Sequence, residues 1–188
     1  MRIIAGEWGG RAIKAPKGRE VRPTSDRARE AWMSIVHPVL PGARVLDLFA
    51  GTGALGLESL SRGAAWADFV ELSPRTISTL SENIAVLGAG SRCAVHRGDA
   101  VAFAAKLAAA AATAAPTGHA YDVAFADPPY HRGLAAAVAD LWLAAPFATI
   151  FGVEHESTTT LPSGGDTRRY GDTAITIYRA VGTHTPSS

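Results

Sequence analysis

An aspartate, two prolines and a tyrosine follow an apolar run in residues 121–130, which read YDVAFADPPY. Proline fixes φ and carries no N–H group, so a double proline forms a stiff turn whose carbonyl oxygens point outward as acceptors. Asp127 and the Pro128 carbonyl could each accept one hydrogen of an exocyclic amine, directing the nitrogen lone pair at an electrophilic carbon. Tyr130 could stack on a base that has left its own stack. The candidate catalytic residues for chemistry on a nucleobase amine are Asp127, Pro128, Pro129 and Tyr130.

A glycine-rich segment follows an earlier apolar run. RVLDLFA leads into GTGALG, so Gly51, Gly53 and Gly56 fit the pattern G-x-G-x-x-G, and Glu71 comes twenty residues after Gly51. In a dinucleotide site such glycines permit a tight turn and close backbone approach, while the acid accepts hydrogen bonds from ribose hydroxyls. From these residues alone, NAD and S-adenosylmethionine are hard to separate.

Three features favour S-adenosylmethionine as the cofactor. Asp47 and Phe49 precede the glycines in D-x-F-x-G-x-G, and an acid at that position can face the cationic methionine end, a group that NAD lacks. Asp99, in RGDA, suits a contact with the adenine edge, although it could instead cap the helix that follows. The third feature is the DPPY segment itself, which would have no role in an NAD oxidoreductase.

The elements that must hold these residues alternate between strand and helix patterns from residue 44 onward. Five apolar runs predict strands, namely RVLDLFA, WADFVEL, CAVHRGD, YDVAFAD and ATIFGVEHE, and the segments between them predict helices. Such alternation predicts a parallel sheet covered on both faces. The fourth strand is expected beside the first, so Asp127 projects towards the glycine loop. The alanine-rich residues 104–115 predict a connecting helix without a catalytic role, and RRYGDTAITIYRA predicts a closing antiparallel hairpin.

The N-terminal segment carries an excess of positive charge. RIIAG and RAIKA around EWGG predict a hairpin, and a helix is expected from Thr24 or Ser25 to Pro38. Residues 1–30 have a net charge of +4, whereas the remainder has −3. This asymmetry favours a polyanionic partner, with a solvated basic arm as the alternative. The candidate RNA contacts are Arg2, Arg11, Lys14 and Arg22.

Length and composition indicate one main globular domain of 188 residues with a net charge of only +1. A single cysteine, Cys93, excludes an intrachain disulfide, and the six histidines have no metal-ligand spacing, so we expect no metal. No apolar stretch has the length of a membrane span and no secretory leader is recognisable, so a cytoplasmic protein is expected. Without heptads, a monomer is the default expectation.

Taken together, these blocks resemble a family of bacterial methyltransferases that modify the N2 amine of one guanine in 16S ribosomal RNA. The blocks are RIIAGEWGGR, RPTSDRAREAWMSI, DLFAGTGALGLESLSRGA, ADPPY and GDTAITIY, and they span most of the chain. DPPY is shared with adenine-N6 methyltransferases, so it indicates an amine substrate and leaves the base open. RIIAG and RPTSDRAREA are more particular to the family, although Gly9 stands where an arginine is expected.

The resemblance implies a Rossmann-like S-adenosylmethionine-dependent methyltransferase fold of the α/β class. This fold has a mostly parallel seven-stranded sheet with a C-terminal antiparallel hairpin, plus a small N-terminal β-hairpin extension. Its implied division is a basic extension at 1–23 that binds RNA, a methyltransferase domain at 24–181 and a frayed tail at 182–188.

The resemblance also implies a cofactor site and a partner. The residues implied to line the S-adenosylmethionine site are Asp47, Gly51, Gly53, Glu71 and Asp99, and Thr24 and Arg27 are implied to fold over its methionine end. The implied partner is 16S ribosomal RNA, either naked or in a partly assembled small subunit. Two alternatives to guanine-N2 methylation are adenine-N6 methylation of DNA or RNA, and a non-catalytic RNA-binding assembly factor on the same fold.

Overall fold

A seven-stranded sheet in the order β3-β2-β1-β4-β5-β7-β6 forms the centre of the protein. The structure, a computed structural model, describes residues 1–15, 24–113 and 118–180, and of residues 24–27 the backbone alone. The strands are β1 (Arg44–Leu48), β2 (Trp66–Glu71), β3 (Cys93–Arg97), β4 (Tyr121–Ala126), β5 (Ala148–Glu156), β6 (Asp166–Tyr170) and β7 (Thr173–Arg179). The helices are α1 (Thr24–Val36), α2 (Ala54–Ser61), α3 (Pro74–Leu87), α4 (Ala100–Thr113) and α5 (Leu134–Ala144), with short 3₁₀ turns at His37–Val39 and Gly90–Arg92.

Strands β1 to β5 are parallel, and β1 lies between β2 and β4. Leu48 pairs with Val70 on one side and Ala126 on the other, so the three strands end at the same edge of the sheet. The strand order reverses between β1 and β4, and ligands of doubly wound sheets bind at such a switch point. The prediction that the fourth strand lies beside the first is confirmed.

The two C-terminal strands close the sheet in the antiparallel sense, as predicted. β7 inserts between β5 and β6, and its first residue, Thr173, pairs with both Glu156 and Tyr170. The turn between β6 and β7 therefore lies at the same edge as the ends of the parallel strands. Gly152 of β5 is required for close packing, since a Cβ atom there would lie 2.0 Å from Cζ3 of Trp32 in α1.

Helices cover both faces of the sheet, as the apolar strands require. One core cluster joins α1, α2 and α3 to the sheet, and a second joins α4 and α5 to the opposite face. Both ends of helix α3 are capped: Ser73 accepts the N–H of Thr76, and Gly88 ends the helix with φ 72°. Among the described residues, none of the helices is long and apolar enough to cross a membrane.

The predicted end of β3 and the predicted start of α4 were both wrong. The third strand ends at Arg97 and not at Asp99, and α4 starts at Ala100 rather than at residue 104. The cause is Asp99, whose Oδ1 accepts the N–H of Ala102 at 2.8 Å and so starts the helix early. Residues 114 and 115 of the alanine-rich segment lie outside the described part of the chain.

The predicted N-terminal hairpin is present, with its pairing reduced to one antiparallel bridge between Arg2 and Ala12. Its apolar side chains, Ile3, Trp8 and Ile13, are buried in the same core cluster as α1, α2 and α3. The proposed division at residue 23 stays a prediction because residues 16–23 lie outside the described residues, as does the tail at 182–188.

A buried carboxylate attaches this hairpin to α2. Glu58, with 0 % exposure, accepts the backbone N–H groups of Ile4 at 2.7 Å and Ala5 at 3.1 Å, and pairs with Arg62 at 2.7 Å. Ser61 adds to the attachment, accepting the N–H of Trp8. These hydrogen bonds fix the extension against the helix that starts at the glycine loop.

Candidate active site

The loop between β1 and α2 has an unusual backbone conformation. Phe49 has φ 61°, a left-handed value that costs a residue with a Cβ atom about 1–3 kcal/mol. Gly51 and Gly53 follow with φ 56° and 81°. Backbone strain of this kind clusters at ligand sites, because the surrounding structure must hold it in place.

The three glycines of the motif are present for different structural reasons. A Cβ atom on Gly53 would lie 2.4 Å from Cδ1 of Leu80, and one on Gly56 would lie 2.3 Å from Cε1 of Phe69. These two positions are therefore demanded by packing of α2 against α3 and β2. A Cβ atom on Gly51 would have its nearest neighbour at 3.9 Å, so Gly51 faces open space and is the glycine that a ligand can approach closely.

Asp47 lies in the middle of the sheet, directly under this loop. It is buried, and its Oδ2 accepts the N–H of Gly56 in the first turn of α2 at 2.9 Å. Burial raises the pKa of Asp47 well above its usual value, the hydrogen bond from Gly56 opposes that shift, and the charges of Asp127 and Glu71 raise it further. The carboxylates of Asp127 and Glu71 therefore lie close enough to Asp47 for their charges to act on it.

Glu71 ends β2 and holds the glycine loop by hydrogen bonds. Its Oε2 accepts the N–H of Gly51 at 2.9 Å, and its Oε1 accepts the N–H of Ser73 at 2.8 Å. An ionised carboxylate has about four lone-pair positions, so Glu71 keeps acceptor capacity for a ligand. The next residue, Leu72, is 62 % exposed and presents an apolar surface beside this carboxylate.

The DPPY segment leaves β4 at the edge where β1 ends. Asp127 and Pro129 are exposed, whereas Pro128 is buried. Since Leu48 pairs with Ala126, Asp127 and Phe49 emerge side by side. The structure thus brings the candidate catalytic acid to the glycine loop, as the topology predicted.

Tyr130 is held by its hydroxyl group. The oxygen lies 3.0 Å from Oγ1 of Thr173 and donates to Oε1 of Glu154 at 3.4 Å. Burial raises the pKa of Tyr130 to about 12, so the phenol is neutral at physiological pH. His131, the next residue, has φ 64° and contacts Glu156 at 3.1 Å, which ends the segment in a second strained turn.

The remaining predicted cofactor residues are less closely grouped. Asp99 follows β3, two strands from β1, where it is exposed and caps α4. Asp99 therefore caps α4, as the alternative interpretation expected. The second oxygen of the Asp99 carboxylate keeps acceptor capacity. The side chains of Thr24 and Arg27 lie outside the described residues, so their predicted role stays a prediction.

The predicted RNA contacts of the hairpin are exposed, and two of them have partners on α3. Arg11 donates to the carbonyl of Val86, and Lys14 pairs with Glu82. Arg2 is exposed, and its carbonyl accepts from the Arg29 guanidinium at 3.0 Å. Arg22 lies outside the described residues.

Sequence reasoning missed Asn83, a fully buried side chain that joins the hairpin to the glycine loop. Its Oδ1 accepts the N–H of Lys14 at 2.7 Å, and its Nδ2 donates to the carbonyls of Lys14 at 3.1 Å and Thr52 at 3.0 Å. Glu154 and Thr173 were missed as well. A polar Asn83 on the apolar face of α3, between Leu80 and Ile84, is the signal that could have identified it.

Three acidic side chains surround the loop. Asp47, Glu71 and Asp127 converge on it, and Asp47 and Glu71 accept hydrogen bonds from backbone N–H groups. Within the described ranges, no three His, Cys, Asp or Glu side chains are arranged to hold a metal ion. Such an arrangement suits the cationic S-adenosylmethionine and disfavours the anionic pyrophosphate of NAD.

Comparisons of sequence assign the chain to a family. The family model described as conserved hypothetical protein 95 matches residues 1–179. The chain is 39 % identical over 168 residues to the ribosomal RNA small subunit methyltransferase D of Escherichia coli strain K12, covering 87 % of this chain and 78 % of that protein. The protein of the same name from Haemophilus influenzae is 32 % identical over 186 residues, with coverage of 95 % and 92 %.

Comparisons of structure agree on the fold. A hypothetical protein of Thermus thermophilus superimposes with a TM-score of 0.80 at 31 % identity, covering 96 % of this chain and 99 % of that one. A SAM-dependent methyltransferase of Agrobacterium tumefaciens superimposes with a TM-score of 0.62 at 17 % identity, covering 85 % and 63 %, and at this identity shows a shared fold alone.

Proposed function

The chain belongs to the conserved hypothetical protein 95 family, and we propose that it transfers the methyl group of S-adenosylmethionine to the exocyclic N2 amine of a guanine in 16S ribosomal RNA. The observation that carries the proposal is the convergence of Asp47, Glu71 and Asp127 around a strained glycine loop. The relatives named ribosomal RNA small subunit methyltransferase D support the choice of substrate.

The cofactor, when bound, supplies an electrophilic methyl group on a positively charged sulfonium. The residues present fit such a group, because carboxylates at the loop favour a cation, and a bound cation would in turn favour the ionised form of the buried Asp47. Asp47 would face the cationic end, Glu71 would accept hydrogen bonds from the ribose hydroxyls, and Asp99 would accept one from the adenine edge. The exposed Leu72 offers an apolar contact for the adenine ring.

The catalytic segment would act by orientation. Asp127 and the Pro128 carbonyl each accept one N–H of the target amine, which leaves the nitrogen lone pair free to point at the methyl group. Such positioning lowers the barrier because the translational and rotational entropy of the reacting groups is lost on binding. The two prolines keep the acceptors in place, since neither can rotate about φ.

Tyr130 would stack on the target guanine after the base leaves its own stack, a contact that contributes roughly 1–3 kcal/mol. Its hydroxyl is anchored to Thr173 and Glu154, so the ring is already oriented before RNA binds. The strained turn at His131 directly after it fixes where the segment returns to the edge of the sheet.

Two measurements test the proposal. Calorimetry should detect binding of S-adenosylhomocysteine and no binding of NAD; the reverse result would make the chain a dinucleotide-binding protein. Incubation with methyl-labelled S-adenosylmethionine should place label in 16S ribosomal RNA. Binding of the RNA without transfer of label would favour a non-catalytic assembly factor instead.

A further inference from the structure

A polar groove lies between the N-terminal hairpin and helix α3, outside the site described above. Its volume is about 420 Å³, and it is lined by Lys14, Ala15, Arg75, Ser78, Thr79 and Glu82. The four α3 residues recur at the spacing that places side chains on one helix face. The groove thus combines two cations and two hydroxyl groups with a single carboxylate.

The position of Lys14 in this groove is fixed relative to the glycine loop. Asn83 binds both backbone polar groups of Lys14 and, through the same amide, the carbonyl of Thr52. A ligand held by Lys14 would therefore sit within the reach of one side chain from a backbone point that is fixed to the cofactor loop. A substrate strand whose target base enters the active site needs such a fixed point.

The ammonium group of Lys14 is paired with Glu82, and the two side chains are 64 % and 48 % exposed. An ion pair this exposed stabilises a protein by only about 0–1 kcal/mol. A phosphodiester could take the place of the carboxylate at little cost. Arg75, exposed near the start of α3, would supply a second cation, and Ser78 an additional hydrogen-bond donor.

We propose that this groove binds a phosphodiester of the substrate RNA strand through Lys14 and Arg75, and that Glu82 competes with the phosphate for Lys14. This inference rests on the proposed function. Glu82 would hold the lysine in place in the free protein and weaken RNA binding.

The test is RNA affinity across a salt series, with a fragment of 16S ribosomal RNA as the probe. Each phosphate contact changes affinity by about threefold between about 50 and about 200 mM salt. Glu82→Gln should bind RNA more tightly at low salt than the wild type. The ratio of its RNA affinity at the lower salt concentration to that at the higher one should exceed the wild-type ratio by about threefold. Arg75→Gln should lower the same ratio, relative to the wild type, by a similar factor.

The double variant Lys14→Gln/Glu82→Gln separates competition from a general charge effect. If Glu82 acts through Lys14, the double variant binds RNA no more tightly than Lys14→Gln alone; a gain over Lys14→Gln would be a general charge effect and overturns the proposal. Asp140→Asn on α5 and Lys106→Gln on α4 remove one exposed charge each, far from the groove, and should leave the salt dependence unchanged.

A second readout shows whether the groove belongs to the cofactor site. All groove variants should keep the S-adenosylhomocysteine affinity of the wild type, which also shows that they fold; a weakened affinity overturns the proposal. Methyl transfer by the wild type is measured in parallel. Loss of that activity would contradict the proposed function, whereas an unchanged salt dependence in Glu82→Gln would overturn the groove alone.

Discussion

Asn83→Asp is the substitution that most sharply tests how the hairpin and the glycine loop are joined. It keeps the shape of the side chain and the acceptor for the Lys14 N–H, but replaces the donating amide by an oxygen. That oxygen would face two carbonyl groups, of Lys14 and Thr52, at the present 3.1 and 3.0 Å. Two hydrogen bonds are lost: the buried Thr52 carbonyl and the partly buried Lys14 carbonyl no longer receive the amide N–H groups.

The expected loss of stability follows from these contacts. A net hydrogen bond contributes about 0.5–1.5 kcal/mol, and a buried acceptor left unsatisfied costs about 1–3 kcal/mol. Because the carbonyl groups can relax together, we expect the free energy of unfolding to fall by about 2–4 kcal/mol at neutral pH. Protonation of the introduced carboxyl would restore a donor for one carbonyl, so the pKa of this carboxyl must be higher in the folded state than in the unfolded state. The difference in the free energy of unfolding between variant and wild type should therefore become smaller as the pH falls and larger as the pH rises.

Denaturant unfolding of both proteins at about pH 7 and about pH 5 measures this directly. Ser81→Asp adds a carboxylate at an exposed position of the same helix and should change stability by less than about 0.5 kcal/mol. Binding of S-adenosylhomocysteine and of RNA should both weaken in Asn83→Asp. An equal stability of variant and wild type at neutral pH, or a difference that grows in acid, would refute the reasoning.

Three further predictions follow from individual side chains. Asp127→Ala should abolish methyl transfer and leave the affinity for S-adenosylhomocysteine, which lacks the sulfonium charge, nearly unchanged, as measured by turnover and calorimetry; substantial remaining activity would exclude the orientation mechanism. Glu71→Ala should weaken cofactor binding by about tenfold or more and lower the melting temperature, because the Gly51 and Ser73 N–H groups lose their acceptor; unchanged affinity removes Glu71 from the site. Burial lowers the pKa of His155 below its usual 6.5, so the unfolded chain binds the proton first and stability is lost as the pH falls below about 6.5. The melting temperature of the wild type should thus fall more between about pH 7.5 and about pH 5.5 than that of His155→Gln, and parallel curves would contradict this origin.

The parallel sheet and the catalytic edge could be predicted because their signals are local. Apolar runs such as those of β1 and β4 are typical of buried strands, and parallel strands of one sheet end at one edge. Asp47, Glu71 and Asp127 each stand at or near the end of such a run, so their convergence follows from topology. The boundary at α4 was missed because Asp99 fits both a strand end and a helix cap.

The partners of the side chains that support the site could not be predicted, because these contacts depend on long-range packing. Thr173 reaches Tyr130, 43 residues away, only because β7 inserts between β5 and β6. Glu58 and Asn83 accept backbone N–H groups of the hairpin that lie 54 and 69 residues away in the chain, and a backbone donor has no sequence signature. The partners of Arg11 and Lys14 on α3 arise from the same docking.

Nucleoside analysis of 16S ribosomal RNA tests the central claim most directly. RNA lacking the modification is incubated with the protein and methyl-labelled S-adenosylmethionine, digested and analysed by mass spectrometry, with Asp127→Ala as the inactive control. N2-methylguanosine is expected as the single labelled nucleoside for the wild type, with no labelled nucleoside for the variant. Labelled N6-methyladenosine, or label that is equal in the two proteins, would contradict it.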